Sequence, residues 1–468
     1  MKFKLRKYQE DAVKAGLTVL HTKKNGLLVG PTGTGKSLII AEIVKRSKKK
    51  TIVLQPSVEI LNQNVNKIKA FGLIDIGIFS ASMDEKTIGE VTYATIGTII
   101  KHKEKFSKFE LIVVDEAHLC NSKGGQYESF ITSLGLPVIG LTATPFRMRY
   151  YMNSFGSGEP VVESRFLTRT RPRIFNTILH VTQVPDMFEQ GYLCPVEYDS
   201  ENDYDSKKIR SNSTGQGYDE SALLKYNESQ DIVPKICNQT IGSDAKHILI
   251  FTHFREESER VISTLSRSGI ECVEISGKTK KKDRVKILSD FQDGILRCVV
   301  NVGVLTVGFD FPELDHVIIG RPMKSLALFY QISGRGLRPA PGKDFCRITD
   351  LCDNVKRFGE VNTFTIEDAS NGRELWRLKS NKGYLTGVNL ITGQDLENKA
   401  KKTTSKDKKL AQSGDLLIPF GKHNGEMLQD LDKGYMEWCR DNFDKGNKWK
   451  KIFRDELKRR EKLDTIVF

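Results

Sequence analysis

No run of about eighteen consecutive apolar residues occurs in this 468-residue chain, so no transmembrane helix is expected. The start also lacks the apolar core of a signal peptide, because Met1-Lys2-Phe3-Lys4-Leu5-Arg6 alternates and is heavily charged. The eight cysteines, at 120, 194, 237, 272, 298, 346, 352 and 439, form no Cys-x-x-Cys pair. Cys346 and Cys352 are spaced too widely for a zinc knuckle, and no neighbouring histidine completes one. These absences predict reduced thiols, a cytoplasmic setting, no membrane partner and no zinc. Acidic residues are in deficit, with 59 Asp plus Glu against 73 Lys plus Arg. The net charge of +14 suits a polyanionic partner, although charge by itself names none. Hydrophobic residues make up 38%, adequate for ordinary cores, and the length fits about three domains.

What is present is sharper. Gly30-Pro31-Thr32-Gly33-Thr34-Gly35-Lys36-Ser37 matches G-x-x-x-x-G-K-[ST]. It follows the apolar run Gly26-Leu27-Leu28-Val29, fit for a buried strand, and precedes Leu38–Val44, which has helical spacing. Strand, glycine loop and helix together make a phosphate cradle: backbone N–H groups approach the phosphates and the helix N-terminus adds partial positive charge. Residues Pro31 to Ser37 would line a nucleoside triphosphate. Lys36 would place a point charge on it, and the Ser37 hydroxyl would ligate Mg²⁺. A glycine turn without a ligand is the plainer reading, and the flanking strand and helix weigh against it.

Asp115-Glu116-Ala117-His118 closes another apolar run, Leu111-Ile112-Val113-Val114, which reads as a fully buried parallel strand. Ligands of open α/β sheets bind at the carboxyl ends of strands, so both acids would face the phosphate loop. Mg²⁺ keeps several waters and needs few protein ligands, so Ser37 with Asp115 suffices. Glu116 would orient, or take a proton from, the attacking water. Two acids on a solvated strand end would be the bland alternative, and their pairing with a phosphate loop counts against it.

With these motifs in place, the chain up to about residue 352 resembles a superfamily 2 helicase or translocase with DEAH-type lettering. The resemblance implies two tandem RecA-like parallel-sheet lobes with a nucleotide cleft between them, using ATP and Mg²⁺. Leu5-Arg6-Lys7-Tyr8-Gln9 resembles the family's adenine-reading motif, which assigns Arg6, Tyr8 and Gln9 to the nucleotide. A glutamine amide can donate to and accept from one adenine edge at once. Leu54-Gln55-Pro56-Ser57 resembles a segment that contacts the nucleic-acid backbone, and Tyr93-Ala94-Thr95 a neighbouring contact. Leu141-Thr142-Ala143-Thr144-Pro145 resembles the hydroxyl motif that links the nucleotide site to the track, with His118 and Gln331 as further coupling residues.

The second half repeats the alternation of strands and helices without a phosphate loop. Strands are expected at His247–Phe251, Arg297–Asn301 and Val317–Ile319. Leu305-Thr306-Val307-Gly308-Phe309-Asp310 follows the second, and the resemblance assigns Thr306 to nucleic acid and Gly308 and Asp310 to the nucleotide. Gln331-Ile332-Ser333-Gly334-Arg335-Gly336-Leu337-Arg338 resembles the family's arginine motif. Read as helix, it puts Arg335 and Arg338 on one face, where both could reach a γ-phosphate as catalytic cations. A basic surface helix is the alternative.

Within the superfamily the chain resembles RadD-like bacterial DNA-repair helicases and their phage relatives. The carrying residues are the opening motif, Gly191-Tyr192-Leu193-Cys194-Pro195, Gly308-Phe309-Asp310 and the stretch from Gly334 to Lys343. That likeness implies a DNA track, single-stranded or branched, in repair, recombination or replication, inside a bacterial or phage-infected cell. The chain lacks the cysteine-rich ending of those proteins. The alternatives are an RNA helicase, a duplex DNA translocase that separates no strands, and an ATP-binding switch that does not hydrolyse.

The expected organisation is lobe one at 1–183, lobe two with an extension at 184–394, a lysine-rich linker at 395–413 and a small basic α+β module at 414–468. In that module Pro419 to Gly425 reads as strand and turn, and Leu428 to Phe443 as an amphipathic helix carrying Trp438. It resembles a short module appended to some exonucleases and phage proteins. Lys445, Lys448, Lys450, Lys451, Arg454, Lys458, Arg459, Arg460 and Lys462 follow, with Trp449 and Phe453 among them. An auxiliary DNA grip, a solvated helix with its aromatics in a core, and a protein-docking module all fit this pattern. Arginines 147, 149, 165, 169, 171 and 173, with Tyr150, Tyr151 and Phe155, read as a DNA-facing insertion or a surface loop.

Overall fold

The computed structural model describes residues 4–22, 24–70, 75–120, 124–152, 160–304, 311–369, 375–396, 418, 423, 426, 428, 431–443 and 448–464. Residues Met1–Gly393 form one compact unit and Gln394–Phe468 a second.

The first unit contains two parallel sheets. The first is built from β1 (Gly26–Val29), β2 (Thr51–Gln55), β3 (Ile76–Ser80), β4 (Glu85–Lys86), β5 (Val91–Thr95), β6 (Leu111–Val114) and β7 (Val138–Thr142), with β10 (Thr177–Val181) at its edge. Its order is β10-β1-β7-β6-β2-β5-β3-β4, parallel throughout except for the β3–β4 pair. Every residue of β1, β2, β6 and β7 is buried, as continuous Val/Ile/Leu runs require when helices cover both faces. This order decides the site. Because β7 lies between β1 and β6, the segment after β7 emerges between the phosphate loop and the acid pair.

The second sheet runs β11 (Val196–Asp199), β16 (Cys346–Asp350), β15 (His316–Gly320), β12 (Ile248–Thr252), β14 (Cys298–Val302) and β13 (Cys272–Ser276), all parallel. The three expected strands of this half appear within a residue or so of their expected ends. The arginine motif does not lie on a helix. The helix Leu326–Ser333 stops at Gly334; Arg335 follows on a turn and Arg338 just after it. Glycines at 334 and 336 weaken the helix there, and a Cβ at either would strike Thr32 or Cys346. Thr306, Gly308 and Asp310 lie outside the described residues.

Two segments take more definite shape than their composition suggested. After the hydroxyl motif the chain makes an antiparallel hairpin of β8 (Phe146–Met152) and β9 (Pro160–Phe166), in register from Phe146↔Phe166 to Met152↔Pro160. The arginine-rich stretch is therefore partly regular structure rather than a plain loop; Phe155 lies outside the described residues. The extension after Asp353 forms the helix Asn354–Phe358 and an antiparallel sheet of β17 (Thr365–Asp368), β18 (Trp376–Ser380) and β19 (Gly383–Tyr384). It packs on more than lobe two. The Gln183 side chain exchanges hydrogen bonds with the Ile366 backbone, at 2.7 and 3.0 Å, and the Leu390 N–H donates to the Val162 carbonyl at 2.7 Å.

In the second unit the described helices are Lys433–Asn442 and Lys448–Asp464. The first is shorter than the expected Leu428–Phe443, because Asp432 caps its N-terminus by accepting from the Tyr435 N–H. Ile418, Leu428, Leu431, Met436, Cys439, Trp449, Phe453 and Leu457 form the core. Trp449 and Phe453 are thus core residues and not bases' stacking partners. Among the described residues of this unit Trp438 is the exposed aromatic, ring-stacked on Tyr435. Most of Pro419–Gly425 and all of 397–413 lie outside the described residues.

Candidate nucleotide site between the lobes

The loop Gly30–Gly35 leads from β1 into the helix Lys36–Ser47, with Gly33 at φ +89° and Gly35 at φ +74°. Both values lie in the left-handed region that glycine alone adopts without strain. A Cβ at Gly35 would also sit 2.7 Å from Gln9 Nε2. Gln9 is buried and clamped to the loop: its Nε2 donates to the Thr34 carbonyl at 2.9 Å and its Oε1 accepts from the Arg6 N–H at 3.0 Å. Tyr8 donates to the same carbonyl at 3.1 Å. The Arg6 guanidinium stacks on the Tyr192 ring, 4.0 Å from its centroid.

The acid pair meets this loop. Lys36 Nζ lies 3.9 Å from Glu116, whose backbone sits in the left-handed region at φ 50° and ψ 53°. A non-glycine residue held there stores strain, a recurrent mark of functional positions. Burial works to raise the Glu116 carboxyl, but Lys36 foremost, then His118 and Arg335, hold it well below the usual range. Asp115 shifts the other way. Burial and the neighbouring Glu116 charge push it up, with partial relief from Lys36.

The unexpected residue is Asn64, buried on the helix Val58–Ala70. Its Oδ1 accepts from the Ser37 hydroxyl at 2.5 Å, and its Nδ2 donates to Asp115 Oδ2 and to Gln55 Oε1, each at 3.1 Å. One amide therefore sets the spacing of the two expected Mg²⁺ ligands. A hydroxyl and a buried carboxylate short of countercharge form a donor set that suits a small hard cation. The motif pattern held no signal for Asn64, because its partners are 27, 51 and 9 residues away. Asn64→Ala is expected to raise the Mg²⁺ concentration for half-maximal ATPase by about 10- to 100-fold. A Mg²⁺ titration of the steady-state rate checks this.

Not every expected nucleic-acid contact is accessible. Gln55 and Tyr93 are fully buried, Gln55 beside Asn64 and Tyr93 in the sheet core, so neither reaches a backbone here. Pro56, Ser57 and Thr95 are half-buried at the strand ends.

Lobe two closes on the other side. Thr32 Oγ1 donates to the Gly334 carbonyl at 2.9 Å, and Arg338 overlies the loop, its Cγ 3.5 Å from where a Gly33 Cβ would stand. Gln331 Nε2 donates to His118 Nε2 at 3.1 Å. That bond places the imidazole proton on Nδ1, which faces Thr142 Oγ1 at 3.0 Å and Glu116 at 3.2 Å. The hydroxyl motif is tied to the loop as well, through the Gly30 N–H to the Thr142 carbonyl. Thr144 donates its N–H to Thr142 Oγ1 at 3.0 Å. Burial lowers the pKa of both Arg335 and Arg338 to about 10, with Glu116 partly restoring Arg335, so both remain cations at neutral pH. Leaving the helix early costs Arg335 and Arg338 nothing in reach.

Two parallel-sheet lobes, with a phosphate loop on one and arginines of the other across a shared cleft, define a two-lobed nucleoside-triphosphate site. Residues 2–147 match the family described as type III restriction enzyme, res subunit, and residues 231–340 match the helicase conserved C-terminal domain. Over both lobes the chain is similar to superfamily 2 helicases. A 51.5 kDa protein of a Lactococcus phage is 26% identical over 319 residues, 67% of this chain and 62% of its own length. The DNA 3'-5' translocase XPB2 of Sulfurisphaera tokodaii is 26% identical over 361 residues, 72% of this chain and 79% of its own. The solved ATP-dependent Type ISP restriction-modification enzyme LlaBIII bound to DNA shares the fold, with a TM-score of 0.57 at 19% identity. That match covers 75% of this chain and 28% of the enzyme. The chain spans 62% of the Lactococcus phage protein and about half the length of several other relatives.

Proposed function

We propose that this chain hydrolyses ATP and uses the cycle to move along DNA, with or without strand separation, in repair, recombination or replication. The observation that carries the reading is the meeting of Lys36, Ser37, Asp115 and Glu116 with Gln331, Arg335 and Arg338 around one loop. A switch that only bound ATP would have no use for the full set. Lobe one is taken as 1–183, lobe two with its extension as 184–394, and 414–468 as an appended module.

Ser37 and Asp115, spaced by Asn64, would hold Mg²⁺. When bound, that ion would neutralise charge on the β- and γ-phosphate oxygens. Gln9 and Tyr8 would fix the adenine end, and Lys36 the phosphates. The Lys36 ammonium is also the strongest restraint holding the Glu116 carboxyl down. Once that charge is shared with a triphosphate, Glu116 becomes the better proton acceptor, so substrate binding readies the base. Arg335 and Arg338 stabilise the charge that develops in transfer. Loss of the γ-phosphate removes what those two cations close upon, and the lobes part. His118, bonded to Thr142 and Gln331, hands that change between lobes, while Pro56, Ser57, Thr95 and Thr306 would grip the strand.

Steady-state ATP hydrolysis without nucleic acid, then with single-stranded, duplex and forked DNA and with RNA, tests this. Stimulation by at least one DNA form, about tenfold or more, is expected of a coupled motor, in which track binding promotes lobe closure. Equal stimulation by RNA would move the reading to a general helicase, and no hydrolysis under any condition would end it.

A further inference from the structure

Residues 146 to 175 hold six of the chain's 25 arginines, two glutamates and no lysine, although lysine is the commoner base elsewhere. None of these arginines belongs to the nucleotide cleft. The hairpin register puts Arg147 opposite Arg165 and Arg149 opposite Glu163. Directly opposed residues share a face of the ladder, so one face carries three arginines around a single carboxylate. Glu163 is buried and ion-paired with Arg165 at 2.5 Å, and Arg147 donates to the Cys120 carbonyl at 3.0 Å. The chain then leaves β9 through Leu167–Arg169 into Arg171 and Arg173, both exposed. The Arg171 charge is disfavoured by partial burial and then by Arg173, Arg165 and Arg169, with no carboxylate among its influences.

The opposite face is what holds this surface in place. Phe146 and Phe166 are buried in the core of the first unit, their rings 5.9 Å apart. Tyr150 presses on Gly215 of the second lobe, where an added Cβ would meet its ring at 2.3 Å. Asn389 Oδ1 accepts from the Val162 N–H at 3.3 Å. Like charges are thus gathered on a braced platform at a cost that a polyanion would reverse. Arginine is the residue that meets phosphate oxygens in bidentate fashion.

We propose that Arg165, Arg169, Arg171 and Arg173 form a second DNA-backbone contact, outside the helicase motifs, that binds phosphodiester groups irrespective of sequence. The inference rests on the DNA-motor reading above. It adds a grip separate from Pro56, Ser57, Thr95 and Thr306.

The test is the full chain with Arg171→Ala and Arg173→Ala together, beside a matched Arg171→Lys, Arg173→Lys pair. Affinity for single-stranded and duplex DNA of one length is measured by fluorescence anisotropy from 50 to 200 mM salt, with the melting midpoint of each variant. The slope of log K against log salt is expected to shrink by about 2 in the alanine pair and to stay near wild type in the lysine pair. Whichever DNA form loses more names the strand geometry held there. An alanine pair with the wild-type slope on both forms overturns the second contact and leaves the motor reading intact. A wild-type chain with no DNA affinity overturns both. Should the alanine pair melt early, single Arg173→Glu replaces it, and an unchanged slope there counts equally against the proposal.

Discussion

Glu116→Gln is expected to lower kcat for ATP hydrolysis by about 10³-fold while leaving nucleotide affinity within a few-fold of wild type. The amide keeps the shape of the carboxylate, so the turn at φ 50° and the packing under it survive. What it loses is charge: it no longer takes the water's proton and no longer attracts Lys36 or His118. Lys36, freed from a partner 3.9 Å away, turns wholly to the phosphates, so affinity should hold or rise slightly. Single-turnover hydrolysis beside equilibrium binding of a fluorescent ATP analogue separates the two effects. A kcat within tenfold of wild type would remove Glu116 from the chemical step.

Arg335→Ala is expected to cost about 10³-fold or more in kcat, the loss typical of an arginine that stabilises charge developing in transfer. Its guanidinium is largely buried across the cleft from Glu116, with its pKa lowered to about 10 and its charge intact. Glu116 returns part of that desolvation cost, and an anion bound in the cleft would return the rest. The triphosphate is that anion, so removal should hurt the transition state most and ground-state binding least. Arg335→Lys should recover little, because a point charge on a flexible stem lacks the planar fork. DNA-stimulated kcat and KM, measured for both variants and for Arg338→Ala, check this. A pure KM effect would make Arg335 a binding group only.

The two sheets were readable from residue type. Leu111–Val114 is an apolar run, and Cys298–Val302 one broken only by Asn301, as suits strands covered on both faces, and their ends fell almost where patterning put them. The phosphate loop was readable because glycine at 33 and 35 reports a backbone demand that no other residue meets. The arginine motif was legible as chemistry but not as conformation: spacing suggested a helix, and the helix, weakened by glycines at 334 and 336, stops first. Gln55 and Tyr93 looked like surface contacts because a strand end shows nothing of what packs above it. Both are buried.

By itself the sequence determined the reaction's reagents: the loop, the two acids, the arginines and the order in which they occur. These are local, since a backbone angle, a charge or a strand run is a property of a few neighbouring residues. Only the tertiary structure decided that β7 would lie between β1 and β6, bringing Thr142 to His118, and that Asn64 would span Ser37, Asp115 and Gln55. It also decided that Arg147, Arg149 and Arg165 would mount on a hairpin braced by both lobes, with Arg169, Arg171 and Arg173 just after it. Each of these depends on which strands and side chains pack together across tens to hundreds of residues, a free-energy balance over the whole fold that no local pattern encodes.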